Sequence, residues 1–306
     1  MNSLAHQPPR IARANGIDIC YEIFGDADAE PMFLIMGLGG QMIHWDDDFC
    51  RRIAARGFRV IRFDNRDIGK SSHLSGGKRI TLAEFLKWRF LKVPIAAPYK
   101  LRDMAEDTIG LMDVLGIKSA HVVGMSMGGM IAQEIAISHP QRVRSLTSIM
   151  STTGYPKMPQ PTREASAVLL APPPTTKEEY FARHAQTWKI LRAGSFPEDE
   201  ALDHARAERT FARGLNPAGV GRQLRAVMAS GSRKERLHSV KAPTLVIHGT
   251  VDPLVPPANG KDTAASIPGA KLLMIEGMGH ALPIPMWPQI IDAIDSHAHA
   301  ATAKAA

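Results

Sequence analysis

The feature that most constrains the fold is a Gly-x-Ser-x-Gly sequence, residues 124–128, between an apolar run and a segment suited to a helix. A strand that turns sharply into a helix forces the serine into a strained backbone conformation and leaves no room for β-carbons two positions on either side. Gly124 and Gly128 meet this requirement. The pattern therefore predicts Ser126 as a nucleophile at the end of a buried strand, the alternative being that Ser126 only caps the helix.

Two later strand endings carry the residues that a nucleophilic serine needs. Residues 244–253 suit a short apolar strand and a turn, with Asp252 just beyond the strand. Residues 271–276 suit a second strand, and His280 lies in the loop after it. The interval allows a helix near 257–267 and a return strand, so both side chains are expected at the same sheet edge. Ser126, Asp252 and His280 thus occur in the order of a hydrolytic triad.

Other titratable residues fit these roles less well. Glu276 is a rival acid, but it directly precedes the histidine loop on the same strand, from which it cannot easily reach across. His248 lies on the strand before Asp252 and is expected to be structural, and His121 begins a core strand. Asp64 and Asp67 follow another strand and are expected to hold loop backbone.

These motifs, together with several shorter phrases, resemble the α/β-hydrolase superfamily over about residues 11–296. The likeness is closest to bacterial esterases similar to aclacinomycin methylesterase. The phrases that carry it are Met-Gly-Leu-Gly-Gly at 36–40 followed by Trp45, Phe-Asp-Asn-Arg-Asp-Ile-Gly at 63–69, the serine turn, His-Pro-Gln-Arg-Val at 139–143, and Ser-Ile-Met-Ser-Thr-Thr-Gly at 148–154.

The expected fold is the α/β-hydrolase fold, an α/β architecture with a mostly parallel, doubly wound sheet and an inserted helical cap. Strand-like segments from Met32 onward are apolar throughout, which indicates that helices cover both sheet faces. Residues 17–24 alternate and suggest an antiparallel hairpin. The expected division is residues 1–152 for the first part of the core, 153–238 for the cap, 239–296 for the second part of the core, and 297–306 for a frayed C-terminal tail.

The segment expected to form the cap interrupts the strand–helix alternation with prolines and helix start signals. The start signals are residues 175–178, 195–198 and 216–217. Four residues then fall at helical spacing: Phe181, His184, Trp188 and Leu191. A helix-packing stripe is the favoured interpretation, and the lining of a substrate channel is the alternative.

The resemblance implies a serine carboxylesterase that hydrolyses small to medium carboxylic esters, with methyl esters favoured. In this scheme Ser126 attacks, His280 transfers the proton, and Asp252 orients the imidazole. The oxyanion would be held by the backbone N–H groups of Leu38 and Met127. This chemistry needs no cofactor and no metal. The alternatives are a cofactor-free perhydrolase or lactonase on the same triad, and a hydrolase-like receptor with little turnover.

Two positions depart from the pattern of the family. Many relatives have His-Gly where this chain has Met36-Gly37, and the broader family often has Arg-Gly where this chain has Arg66-Asp67. The first departure is expected to leave activity intact, because the missing histidine usually organises the loop. The second puts the geometry of the local turn in question.

Composition sets limits on partners and location. The net charge is +7, but the basic residues are scattered among acids, which favours a solvated surface over a nucleic-acid site. Residues 1–10 lack the apolar stretch of a signal peptide, and nowhere do 18 apolar residues run unbroken, so a cytoplasmic protein without a membrane partner is expected. The expected partner is a small-molecule ester. No pattern in the sequence indicates an oligomeric state.

Overall fold

The computed structural model describes residues 6–76, 80–91, 93–194, 196–197 and 199–305. Its centre is an eight-stranded sheet in the order β1-β2-β4-β3-β5-β6-β7-β8. The strands are β1 (His6–Ala14), β2 (Ile17–Phe24), β3 (Glu30–Ile35), β4 (Phe58–Phe63), β5 (Ala120–Met125), β6 (Val143–Ile149), β7 (Thr244–Gly249) and β8 (Lys271–Ile275). The β1–β2 and β2–β4 pairs are antiparallel, and the other five are parallel. The mostly parallel sheet expected from the sequence is therefore confirmed.

A two-residue turn joins the first two strands. Asn15 and Gly16 both have positive φ, 46° and 75°, and the register pairs Ala14 with Ile17. Positive φ at both central residues is the geometry of the tight turns whose twist matches that of the flanking strands. The antiparallel hairpin expected around residues 17–24 is present.

Helices pack on both faces of the sheet. They are α1 (Asp47–Ala54), α2 (Leu82–Leu91), α3 (Leu101–Val114), α4 (Met127–Ser138), α5 (Arg163–Leu170), α6 (Lys177–Arg192), α7 (Glu200–Arg213), α8 (Pro217–Ser230), α9 (Lys234–Leu237), α10 (Ala258–Ser266) and α11 (Trp287–Ala305). One buried apolar cluster joins Phe33 and Ile35 to α3 and α4, and another joins Met32 and Leu34 to α1 and α11. Successive residues of β3 thus point into different cores, as a doubly covered sheet requires. Within the described ranges, no helix has the length and apolar character to cross a bilayer.

Two outer elements differ from the expectation. Strand β8 is apolar in sequence, yet Leu272 is 39% exposed because β8 is the last strand of the sheet. Residues 297–306 were expected to fray, but α11 continues through Ala305, with His297, Ala298 and Ala301 buried. The small alanine side chains, which suggested little to bury, allow the helix to lie close against the sheet.

The chain between β6 and β7 contributes the five helices α5 to α9, and its described residues contain no strand. Helix α6 begins after Thr176, whose side chain accepts a hydrogen bond from the Glu179 N–H. Helix α8 begins after Asn216, with Pro217 in its first turn. In the start signal at residues 195–198, Ser195 and Glu198 lie outside the described residues. Helix α7 begins at Glu200, with Asp199 as its N-cap.

Candidate active site

Ser126 occupies the turn between β5 and α4 in a strained backbone conformation. Its φ is 55° and its ψ is −120°, a backbone conformation that residues other than glycine rarely adopt. The Ser126 N–H donates to the Ile149 carbonyl at 2.8 Å, and Ser151 Oγ donates to the Ser126 carbonyl at 2.8 Å. Ser126 is partly exposed between buried neighbours. The turn therefore leaves Ser126 partly accessible while its backbone is held on both sides.

The two flanking glycines are required by close packing. A β-carbon at Gly124 would overlap the backbone of Gly128, and one at Gly128 would overlap the Ile35 carbonyl. The strand, the turn and the helix start can approach this closely only without these side chains. The steric reason given for the sequence pattern is therefore found in the structure.

Asp252 and His280 form a direct pair. His280 Nδ1 lies 2.7 Å from Asp252 Oδ2, and both residues are buried. The other oxygen, Asp252 Oδ1, accepts from the backbone N–H groups of Leu254 and Val255 at 2.9 and 2.8 Å. Because a carboxylate only accepts hydrogen bonds, neutral His280 carries its proton on Nδ1. Its Nε2 is left as the proton acceptor.

The three candidate residues follow β5, β7 and β8, whose carboxyl ends meet at one sheet edge. Lateral hydrogen bonds connect these endings, including Met150 N–H to Ile247 O at 2.8 Å and Val251 N–H to Met278 O at 3.2 Å. Among the described residues, no hydrogen bond joins Ser126 Oγ to His280. The nucleophile–base contact is often long in a free enzyme and tightens when substrate binds.

The loop after β3 lies against the serine. A β-carbon at Gly37 would lie 3.1 Å from Ser126 Cβ and 3.6 Å from Ser126 Oγ. Leu38 is the next residue, so its backbone N–H belongs to the loop segment beside the hydroxyl. Met127 is the first residue of α4, and the N–H groups of a first helical turn have no acceptor within the helix. Both backbone groups named from the sequence therefore lie in segments adjacent to Ser126.

Side chains that the sequence did not single out hold this loop. Asn65 Nδ2 donates to the Met36 carbonyl at 2.9 Å, and the Gly39 N–H donates to Gln223 Oε1 at 2.9 Å. Gln41 Nε2 donates to the carbonyls of Thr210 and Gly214 at the end of α7. Since these partners are far apart in the chain, no local motif indicates them.

Both departures from the family pattern have a structural explanation. Met36 is buried in the apolar cluster on the α1 and α11 face of the sheet. Asp67 has a φ of 72°, a left-handed conformation that aspartate tolerates better than most residues. Its carboxylate accepts from the Leu74 N–H at 2.7 Å, the Tyr99 hydroxyl at 2.7 Å and the Arg222 guanidinium at 2.7 Å. Aspartate thus keeps the left-handed turn and adds a contact to α8.

The rival residues are placed elsewhere or are occupied. Glu276 is exposed to solvent. His248 Nε2 donates to the Val255 carbonyl at 2.7 Å, and burial lowers the pKa of His248. His121 lies between Ser145 and Glu30, near the start of β5. Asp64 accepts from the Met42 and Lys70 N–H groups at 2.7 and 2.9 Å, which confirms that it holds loop backbone.

The helical-spacing stripe of α6 serves mainly for packing. Phe181 stacks on His204 of α7 with ring centroids 4.9 Å apart, and Leu191 is buried. Trp188 Nε1 donates to His184 Nε2 at 2.9 Å, and the Trp188 ring meets His44 edge-on. The Leu191 carbonyl accepts from the His280 N–H at 2.7 Å. The end of α6 therefore contacts the histidine loop directly.

In the part of the chain that the structure describes, no cluster of three or more His, Cys, Asp or Glu side chains is arranged to hold a metal ion.

Comparison with known proteins identifies the family. The model of the α/β-hydrolase fold family matches residues 30–285. The chain is 30% identical to rhodomycin D methylesterase DauP of Streptomyces sp. (strain C5), over 96% of this chain and 99% of that protein. It is also 30% identical to rhodomycin D methylesterase DnrP of Streptomyces peucetius, with the same coverage. The meta-cleavage product hydrolase CumD of Pseudomonas fluorescens IP01 superposes with a TM-score of 0.75 at 21% identity, over 95% of this chain and 98% of that one. The chain belongs to the α/β-hydrolase family.

Proposed function

We propose that this α/β-hydrolase is a serine carboxylesterase that hydrolyses small to medium carboxylic esters through Ser126, His280 and Asp252. The observation that carries the proposal is the buried Asp252–His280 hydrogen bond at the same sheet edge as the strained Ser126. A carboxylate that fixes the proton on Nδ1 leaves Nε2 to accept the proton of a serine hydroxyl. This arrangement serves acyl transfer, and it uses only groups of this chain.

The proposed reaction has two halves. Ser126 Oγ attacks the ester carbonyl carbon while its proton passes to His280 Nε2. The carbonyl oxygen becomes an oxyanion that accepts hydrogen bonds from the Leu38 and Met127 N–H groups. Collapse of the tetrahedral intermediate breaks the bond to the alcohol oxygen, which leaves with the proton from His280. Water then loses a proton to His280, attacks the acyl-enzyme and releases the acid, and the proton returns to Ser126.

We further propose that residues 153–238 form a cap beside this site, between core segments 1–152 and 239–296. The contact between the Leu191 carbonyl and the His280 N–H supports this, because it brings the end of α6 to the histidine loop. Gly279 adds a second contact, since a β-carbon there would overlap the backbone of Leu191 and Arg192. The cap would then limit the access of water and large esters to Ser126.

Methyl esters are the first substrates to test. The two relatives at 30% identity are named as methylesterases, and each match covers 96% of this chain. A methyl ester releases a small alcohol, so the acyl group would provide most of the contacts with the enzyme. A series of methyl esters with acyl groups of increasing size would therefore define the substrate class.

The decisive experiment combines turnover with labelling of the nucleophile. Purified protein is assayed with nitrophenyl acetate, butyrate and octanoate, and Ser126→Ala is expected to lose at least about 10³-fold in kcat, because no other hydroxyl replaces the nucleophile. A fluorophosphonate probe should modify Ser126 in the wild type and leave the variant unmodified. Circular dichroism and thermal unfolding of both proteins test whether the fold is retained. A folded Ser126→Ala protein with wild-type turnover would contradict the proposal.

A further inference from the structure

Gln223 connects an inserted helix to the loop beside the serine. It lies on α8, is fully buried, and accepts the Gly39 N–H through Oε1 at 2.9 Å. Its Nε2 donates to the Arg66 carbonyl at 2.9 Å. One amide therefore joins the loop after β3 to the turn after β4, and both loops are at the sheet edge that carries Ser126.

The orientation of this amide is determined by its two partners. The Gly39 N–H is a donor and the Arg66 carbonyl is an acceptor. If the Gln223 amide were rotated by 180°, its NH₂ group would face the Gly39 N–H and its oxygen would face the Arg66 carbonyl, and both hydrogen bonds would be lost. A buried N–H without an acceptor destabilises the fold, because it has lost its hydrogen bond to water without replacing it. Gln223 thus satisfies two buried backbone groups in a single orientation.

Helix α8 is itself held in a defined register on the core. Arg222, next to Gln223, pairs with the buried carboxylate of Asp67, and Asn216 Nδ2 donates to the Asp67 carbonyl at 2.9 Å. A β-carbon at Gly219 would overlap that same carbonyl, so the helix approaches the turn as closely as glycine allows. Gln223 is consequently presented to Gly39 from a fixed support.

We propose that Gln223 is a positioning residue for the reaction: by holding the Gly39 N–H, it sets the direction of the adjacent Leu38 N–H toward the oxyanion. The oxyanion site is then complete only when α8 is packed on the core. This inference rests on the proposed function, because it assigns the Leu38 N–H to the oxyanion. Misplacing a catalytic donor by about 1 Å costs up to about 10²-fold in rate.

The test compares Gln223→Met with a control on the same helix. Methionine keeps the length of the side chain and removes both hydrogen bonds. The loop keeps its two other contacts, from Asn65 to the Met36 carbonyl and from Gln41 to α7. The control is Arg225→Met, which removes the ion pair between α8 and Glu84 and the hydrogen bond to the Ala96 carbonyl. Any general loosening of α8 should affect both variants.

Three measurements are made on the full-length proteins. Amide hydrogen exchange should accelerate in the peptide containing residues 36–40 in Gln223→Met and not in Arg225→Met. The kcat for nitrophenyl butyrate should fall about 10- to 10²-fold in Gln223→Met, with KM changed less than about threefold, because the oxyanion forms only after binding. Affinity for a trifluoromethyl ketone, which adds the serine oxygen to form a tetrahedral oxyanion, should fall by the same factor.

The outcomes separate this inference from the proposed function. Unchanged exchange at residues 36–40 in Gln223→Met would overturn the inference whatever the activity. Faster exchange with unchanged kcat would also overturn it, since the loop would then not serve the reaction. If Ser126→Ala retains full activity, the proposed function fails, and the exchange result still reports whether Gln223 holds the loop.

Discussion

Ser126 shows how a strained residue is kept in place by its surroundings. A non-glycine residue in such a conformation costs about 1–3 kcal/mol, which the rest of the structure must offset. Here the Ser126 N–H is bonded to β6, its carbonyl receives the Ser151 hydroxyl, and α4 begins at the next residue. The strain is therefore held at the residue that we propose as the nucleophile.

Both carboxylate oxygens of Asp252 accept hydrogen bonds, and an amide cannot replace them both. In Asp252→Asn, the side chain must turn its NH₂ group toward either the His280 Nδ1–H or the N–H groups of Leu254 and Val255, all of which are donors. Either the His280 Nδ1–H or the N–H groups of Leu254 and Val255 then lose their acceptor. We expect kcat for nitrophenyl butyrate to fall about 10³- to 10⁴-fold. Steady-state kinetics of the folded variant measure this.

Glu276 provides the matched control for Asp252. It is an exposed acid on the loop before His280, and it was the rival acid in the sequence. Glu276→Gln should keep kcat within about twofold, because an exposed carboxylate is screened by water. A large loss in Glu276→Gln together with an active Asp252→Asn would reverse the assignment of the acid.

The residues that could be predicted from the sequence are those whose constraints are local. The turn at Ser126 needs only the five consecutive residues 124–128, and Asp252 and His280 each follow a recognisable strand. Gln223 lies 184 residues from its partner Gly39, and Asn65 lies 29 residues from Met36. Their hydrogen bonds depend on how helices and loops dock, which no short window of sequence contains.

At the scale of elements, α11 shows why composition alone was misleading. Its last turns are rich in alanine, and short side chains in a terminal segment suggested fraying. In the structure Ala298 and Ala301 face the core, and Thr302 Oγ1 donates to Glu30 at 3.1 Å. Small residues on a helix can mean close packing as readily as the absence of packing.

The packed end of α11 can be tested with one buried and one exposed substitution. Ala298 is 1% exposed, so Ala298→Asp places a carboxylate in an apolar cluster. We expect the free energy of unfolding to fall by about 3 kcal/mol or more, because the charge loses its hydration without gaining a partner. Chemical denaturation of both proteins measures the difference.

Ala300→Asp is the control, since Ala300 is exposed on the same helix. It introduces the same residue with the same helix propensity, and we expect a change within about 0.5 kcal/mol. Equal and small effects of the two substitutions would mean that this end of the helix is not packed in solution.

At the scale of the whole molecule, several buried or half-buried histidines have a lowered pKa. Burial lowers the pKa of His44 to about 3 and that of His184 to about 4. Burial also lowers the pKa of three further histidines: His121, His248 and His297. They are distributed over the sheet, the segment between β3 and α1, the inserted helices and α11. Acid is therefore expected to lower the free energy of unfolding of the whole protein through these groups.

The sign of this effect follows from proton binding. Above about pH 6.5 these histidines are neutral in both states and have no effect on stability. Below that value the unfolded chain binds protons that the folded chain does not, so the free energy of unfolding decreases as pH falls. Each such histidine contributes up to about 1.4 kcal/mol per pH unit, until pH reaches its folded pKa.

We therefore expect the free energy of unfolding to fall by up to about 4 kcal/mol between pH 7 and pH 5 from His44 and His184 alone, in similar shares because both folded pKa values lie at about 4 or below. Urea titrations at constant ionic strength measure this. His44→Gln should show a smaller fall, since glutamine does not titrate and its amide can still donate to Thr210 Oγ1, the partner of His44 Nε2 at 3.1 Å. If the variant loses as much stability as the wild type between these pH values, His44 binds protons equally in both states, and the sensitivity to acid has another source.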